Sequence, residues 1–182
     1  HAWYLHHAPQ QSKYFQDFLE KKEDSEYYDM FLKYSEFWPE NRPTAEDIDL
    51  IYKRKDKAPF APVTFADGTT DQVWNTFGDQ QMDLDVTKPV TKQFIKDSLI
   101  NLARHGASVI RLDAFAYAIK KLDTNDFFVE PEIWDVLNEV REILAAEGSE
   151  VLPEIHEHYK IVRKITDHDM YSYDFALDRK SV

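Results

Sequence analysis

The 182-residue chain contains no cysteine. That excludes a disulfide framework and a thiol nucleophile, and it fits a reducing compartment, so the expected setting is cytoplasmic. Basic residues are in deficit: 22 Lys and Arg stand against 34 Asp and Glu, a formal net charge of −12. A nucleic-acid partner needs a basic face, so none is expected; the balance suits a protein handling neutral or small ligands. No apolar run approaches the roughly 18 residues that a spanning helix needs, so no membrane partner is expected either. The opening residues, His-Ala-Trp-Tyr-Leu-His-His-Ala-Pro, lack the long apolar core of a signal peptide and contain no initiating Met, so the chain is expected to be a fragment. Internal repeats and low-complexity tracts are also missing. What remains is 43% apolar, enough for the packed core of one ordinary domain.

One stretch organises that chain: Val109-Ile110-Arg111-Leu112-Asp113-Ala114-Phe115. It begins as an apolar run suited to a buried parallel strand and ends in a charged pair at a spacing of two. Residues two apart share one face of a strand, so Arg111 and Asp113 are expected side by side, where desolvation is costly. The pattern recurs in Val151-Leu152-Pro153-Glu154-Ile155-His156, again an apolar run delivering a carboxylate. Two strands that each end in a carboxylate, with a helix between them, form the arrangement of a carboxylate-pair enzyme.

The rest of the chain supplies a frame. Residues 11–37 read as helical: Ser12 can cap, and two aromatic stripes (Tyr14, Phe15, Phe18, Leu19, then Tyr27, Met30, Phe31, Tyr34) follow at helical spacing, suited to core. Thr44-Ala-Glu-Asp47 resembles a capping box opening a short helix to about Tyr52. Val63 and Phe65, then Val73 and Trp74, flank Asp67-Gly68, a hairpin signal. Residues 10–86 thus read as a small mixed α+β lobe, preceded by a short extended stretch over 1–9. From 87 to 182 the texture is regular α/β. Helices are expected over 90–105 (stopped by Gly106), from Pro131 to Ala146 (stopped by Gly148) and over 159–167, with strands at Arg111–Asp113, at Glu154 and from Met170 to Leu177.

The chemistry follows from residue types. A retaining glycosidase needs two carboxyl groups about 5 to 5.5 Å apart, one to attack the anomeric carbon and one to protonate the leaving oxygen. Arg111 beside Asp113 favours an ionised nucleophile there, while Glu154 as the acid needs a drier or like-charged setting. The bland alternative is a buried Arg–Asp pair and a strand-end Glu without catalysis. Glu154, His156 and His158 share a face by period two, so Glu-x-His-x-His also admits a metal site. Tyr52-Lys53-Arg54-Lys55 is the most basic run in the chain; it is either an anion contact or a solvated face.

These stretches carry a family resemblance. Ile-Arg-Leu-Asp-Ala-Phe-Ala-Tyr resembles the nucleophile strand of glycoside hydrolase family 13, the α-amylase family, and Leu-Pro-Glu-Ile-His-Glu-His-Tyr resembles its acid/base strand. Gln11 to Asp17, Ile51 to Lys55, Val73 to Phe77, Gln81 to Val86 and Tyr173 to Leu177 are similar to the branch that phosphorolyses sucrose, in order over roughly residues 10 to 177. The resemblance implies part of a TIM (β/α)8 barrel: 1–9 the end of a barrel strand, 10–86 the inserted lobe called domain B, and 87–182 βα units of the barrel. It implies Asp113 as nucleophile, Glu154 as acid/base, and substrate contacts from Arg111, His156, Tyr117 and His7. Tyr52, Arg54 and Lys55 align with a mobile loop that meets phosphate. Tyr117 reads equally well as a core tyrosine. No cofactor and no metal are implied, and Asp83 and Asp85 are structural. The implied substrates are sucrose and inorganic phosphate, the products glucose 1-phosphate and fructose. The third carboxylate of the family lies on a later strand, outside this chain. Other readings are a relative acting on another glucoside or on sucrose 6-phosphate, a hydrolase, a non-catalytic barrel homologue, or a metal-dependent hydrolase.

Overall fold

Along residues 2–3, 7–53, 56–78, 80–155 and 159–172, which the computed structural model describes, the chain passes through seven strands and six α-helices. In order these are β1 (Ala2–Trp3), β2 (His7–Pro9), α1 (Lys13–Lys21), α2 (Tyr34–Phe37), α3 (Ala45–Leu50), β3 (Phe60–Thr64), β4 (Thr70–Trp74), β5 (Gln81–Asp83), α4 (Pro89–Arg104), β6 (Val109–Leu112), α5 (Glu132–Ala146), β7 (Glu150–Pro153) and α6 (Tyr159–Asp167).

A parallel sheet in the order β1-β6-β7 carries the site. Arg111 pairs with Leu152 and Leu112 with Pro153, so the two strands end level with one another. Period two sorts the faces of β6: Ile110 and Leu112 are buried, whereas Val109 is exposed and Arg111 intermediate. The buried face packs on α4 and α5 through Leu99, Ile133, Leu137 and Leu144. Truncating such a core residue to Ala costs about 2 to 5 kcal/mol. Helix α4 begins with Pro89 in its first turn, where the missing N–H is not needed, and ends before Gly106, whose φ of +93° an L side chain would resist.

The earlier residues build two further sheets. Strands β3 and β4 form the hairpin expected at Asp67-Gly68, with Phe60 opposite Trp74 and Thr64 opposite Thr70. Strand β2 pairs antiparallel with β5, His7 opposite Asp83. The nine residues expected as one strand entering a loop therefore serve two sheets. Phe15, Phe18, Phe31, Phe65 and Val73 form an aromatic cluster between α1 and the hairpin, so these rings are core as expected.

The single helical stretch expected over 11–37 is corrected. The Ser12 hydroxyl caps α1 by accepting from the Phe15 amide, but the helix stops at Lys21. Short 3₁₀ turns follow at Lys22–Asp24 and Tyr28–Met30. Phe31 and Lys33 then form antiparallel bridges to Leu84 and Val73. The helical period was real, but burying Phe31 against Phe15 and Phe18 while bridging to strands outweighs local propensity. The capping box at Thr44 and Asp47 is present and opens α3. Of the strand expected at Met170–Leu177, residues 170–172 are irregular and the others lie outside the described residues. Among the described residues no helix is long and apolar enough to cross a membrane.

Candidate active site

The two carboxylates are brought together by the strand register. Asp113 follows β6 and Glu154 follows β7, and the Glu154 amide donates to the Leu112 carbonyl at 2.9 Å, extending the ladder by one residue. Ala114 then adopts a left-handed backbone, φ +48° and ψ +35°, a conformation costly for a residue with a Cβ. This turn aims the Ala114 amide at Glu154, where it donates to Oε2 at 3.2 Å.

Arg111 spans both carboxylates. Its Nη2 contacts Asp113 Oδ1, and its Nη1 lies 3.0 Å from Glu154 Oε1. The first contact was expected from the spacing of two. The second was not, because it joins residues 43 positions apart and depends on the sheet register. Glu154 is 8% exposed, a drier position than Asp113. A planar guanidinium presents a fixed fork of donors, so it sets the positions of two carboxylates at once.

Around this trio a cleft of about 220 Å³ is lined by Phe77, Asp113, Ala114, Ala116, Tyr117, Phe127 and Glu154. Tyr117, in the short 3₁₀ turn Phe115–Tyr117, meets Phe77 and Phe127 edge-on at 5.0 and 4.9 Å between ring centres. Tyr52 packs on the same wall, 4.6 Å from Phe127 and 6.0 Å from Tyr117, and its amide donates to the Asn125 carbonyl at 2.8 Å. His7 reaches the wall through Phe77 at 5.1 Å. Burial holds the His7 imidazole below its ordinary pKa; Asp83 opposes that effect and Lys120 adds to it.

The structure thus gathers Arg111, Asp113, Glu154 and Tyr117 at one cleft, with Tyr52 and His7 one ring further out. Arg54, Lys55 and His156 lie outside the described residues, as does His158, the other histidine of the metal alternative. Among the described residues no cluster of three or more His, Asp or Glu side chains could hold a metal ion. Phe77 and Phe127 also line the cleft, though neither is among the residues that the sequence pattern singles out. Phe77 sits in a stretch that carried the family resemblance, a signal open to use; Phe127 lies in a loop without periodicity, and nothing local marks it.

No protein-family model matches the chain. A sucrose phosphorylase from Streptococcus mutans is 62% identical over 173 residues, which is 95% of this chain and 36% of that protein. Among solved structures, the sucrose 6F-phosphate phosphorylase from Thermoanaerobacter thermosaccharolyticum superposes with a TM-score of 0.91 at 34% identity, over 96% of this chain and 36% of that one. A family GH13_31 enzyme superposes with a TM-score of 0.69 at 16% identity, over 96% and 35% of the two chains, a likeness of fold alone. The chain spans about a third of the length of the proteins it matches.

Proposed function

From its resemblance to sucrose phosphorylase over nearly its whole length, we propose that this chain is part of such an enzyme, a glycosyl-transferring member of glycoside hydrolase family 13. Residues 1–9 are then the end of a barrel strand, 10–86 an inserted lobe, and 87–182 successive βα units of a (β/α)8 barrel completed by sequence outside this chain. The absence of cysteine fits a cytoplasmic enzyme.

The observation that carries the reading is the Arg111 bridge between Asp113 and Glu154 at the ends of neighbouring parallel strands. In the first step Asp113 attacks the anomeric carbon of the glucosyl unit. The bond to the fructosyl oxygen breaks, and Glu154 gives that oxygen a proton, so fructose leaves. Oε2 of Glu154 accepts from the Ala114 amide while Oε1 faces the Arg111 guanidinium. In the second step an inorganic phosphate oxygen attacks the same carbon, Glu154 takes up the phosphate proton, and the bond to Asp113 breaks. Two inversions give glucose 1-phosphate with retained configuration. By the family resemblance, Tyr117 and His156 are assigned to contacts with the fructosyl unit and His7 to contact with the glucosyl unit. By the same resemblance, Tyr52, Arg54 and Lys55 are assigned to phosphate, whose charge beside two carboxylates calls for a cation.

The structural likeness to a sucrose 6F-phosphate phosphorylase favours one second reading, in which the fructosyl unit carries a phosphate. A product assay on the full-length protein that carries this chain decides. With sucrose and phosphate, glucose 1-phosphate and fructose are expected in equal amounts. Turnover of sucrose 6-phosphate alone favours the second reading, and release of free glucose without glucose 1-phosphate contradicts both.

A further inference from the structure

Behind the aromatic wall lies a buried ammonium that the reaction above does not use. The side chain of Lys120 is 2% exposed and that of its partner Asp83 is 1% exposed, with Nζ 3.3 Å from Oδ2. The same Nζ donates to the Tyr117 carbonyl at 2.5 Å and lies 5.5 Å from the centre of the Trp74 ring. Asp83 is itself held by Thr76, whose amide donates to Oδ1 at 3.1 Å and whose hydroxyl donates to Oδ2. Lys120 therefore links its own turn after β6, through the Tyr117 carbonyl, to Asp83 in β5 and to the Trp74 ring at the end of β4, while Asp83 in turn holds Thr76. The turn is remote in sequence from β5 and from the residues after β4, and β5 is anchored to a different sheet from β6.

Stability is a poor reason to bury such a pair. Taking both charges out of water costs about what their attraction returns, and a well-packed apolar pair of the same volume does as well or better. What the pair supplies is a fixed direction: Lys120 can serve Asp83 and the Tyr117 carbonyl together only if the turn stands where it does.

We propose that Lys120 is a positioning residue that, pinned on Asp83, fixes the Tyr117 turn and with it the aromatic wall of the cleft. The inference deepens the reading of that cleft as the site of glucosyl transfer and rests on it for its effect on catalysis. Lys120 touches no reacting atom in this role; it acts through Tyr117.

The test uses the full-length protein with Lys120→Met and Asp83→Asn combined, so that no buried charge is left alone. Tyrosines are labelled with 3-fluorotyrosine, and the Tyr117 resonance is assigned by its loss in Tyr117→Phe. In the double variant the Tyr117 resonance is expected to shift and broaden, while those of Tyr14 and Tyr27, which belong to the remote α1 region, stay in place. For sucrose, kcat/KM is expected to fall roughly ten- to a hundred-fold, because small displacements of binding groups are costly. Hydrolysis of glucosyl fluoride, which has no fructosyl group to seat, is expected to stay within about three-fold. In a Tyr117→Ala background the same double change is expected to cost little more. An unmoved Tyr117 resonance, or equal losses on both donors that simply add to those of Tyr117→Ala, overturns the positioning role. A wild-type protein that leaves sucrose untouched sinks the reading of the cleft instead, and the fluorine spectra still decide what Lys120 does.

Discussion

Arg111 lies on β6 and Glu154 directly follows the neighbouring parallel strand β7; their side chains meet at 3.0 Å while the same guanidinium contacts Asp113. The fork geometry sets where the two carboxylates stand relative to one another. Lysine offers a point charge on a flexible stem and cannot hold both. Arg111→Lys in the full-length protein is therefore expected to lower kcat for sucrose roughly ten- to a hundred-fold, about the worth of one charge-assisted contact. Steady-state kinetics with an unfolding scan checks this. Unaltered kcat in a protein of unaltered Tm contradicts it.

Glu154→Gln removes the proposed proton donor and preserves the volume. Sucrose cleavage is expected to fall by about 10² or more, the usual scale of general acid–base catalysis. Glucosyl fluoride needs no protonation of its leaving group, so its first step is expected to survive far better. Equal losses on the two donors would remove the acid role from Glu154.

The pairing of these carboxylates was legible in the sequence because it depends on local rules. Apolar runs followed by Arg-x-Asp and by Glu mark strand ends, and the strand period puts Arg111 beside Asp113. The contact of Arg111 with Glu154 was not legible, because it needs the register of β6 on β7. Helices α3, α4, α5 and α6 could be read from caps, glycines and periodicity. The break after Lys21 could not, because the tertiary burial of Phe31 and its bridge to Leu84 decide it. Phe127 reaches the cleft through an irregular loop held by Asp126, whose side chain accepts from the Lys121 amide at 2.7 Å; no period announces such a residue.

Asp126 also gives a pH dependence. Burial pushes its carboxyl up to about 6, against the opposing pull of the Lys121 amide, Lys120 and Thr124; Asp83 adds a like charge. Between about pH 4 and about pH 6 the folded chain keeps a proton that the unfolded chain has lost. The contribution of this group to stability is therefore greatest at low pH and falls as pH rises through that window, by about 3 kcal/mol in all. Asp126→Asn keeps the acceptor oxygen and removes the charge. It is expected to raise the Tm at pH 7 and to flatten the loss of stability between pH 4 and 6. His7 works in the opposite sense: held neutral by burial, it makes stability fall as pH drops below its ordinary value near 6.5. Melting curves of the wild type and Asp126→Asn across pH 4 to 8 separate the two contributions. An Asp126→Asn profile parallel to the wild type contradicts the assignment.

If the proposed phosphate role of Arg54 and Lys55 holds, they govern the choice between phosphate and water as the second nucleophile. Lys55→Ala, with Arg54→Ala as its companion, is expected to lower the ratio of glucose 1-phosphate to free glucose about ten- to a hundred-fold, the worth of a charge-assisted contact of roughly 1.5 to 3 kcal/mol. An unchanged product ratio in both variants would mark the run as a solvated face.

In the proposed mechanism Asp113 carries the glucosyl group between the two steps. The most direct test of this role is to trap that intermediate in the full-length protein with a glucosyl fluoride bearing fluorine at C2, which slows release more than formation, and to locate the label by peptide mass spectrometry. The expected result is a fluoroglucosyl group on the peptide containing Asp113, absent from Asp113→Asn. A label on another carboxylate, or steady turnover of sucrose by Asp113→Asn, contradicts the claim.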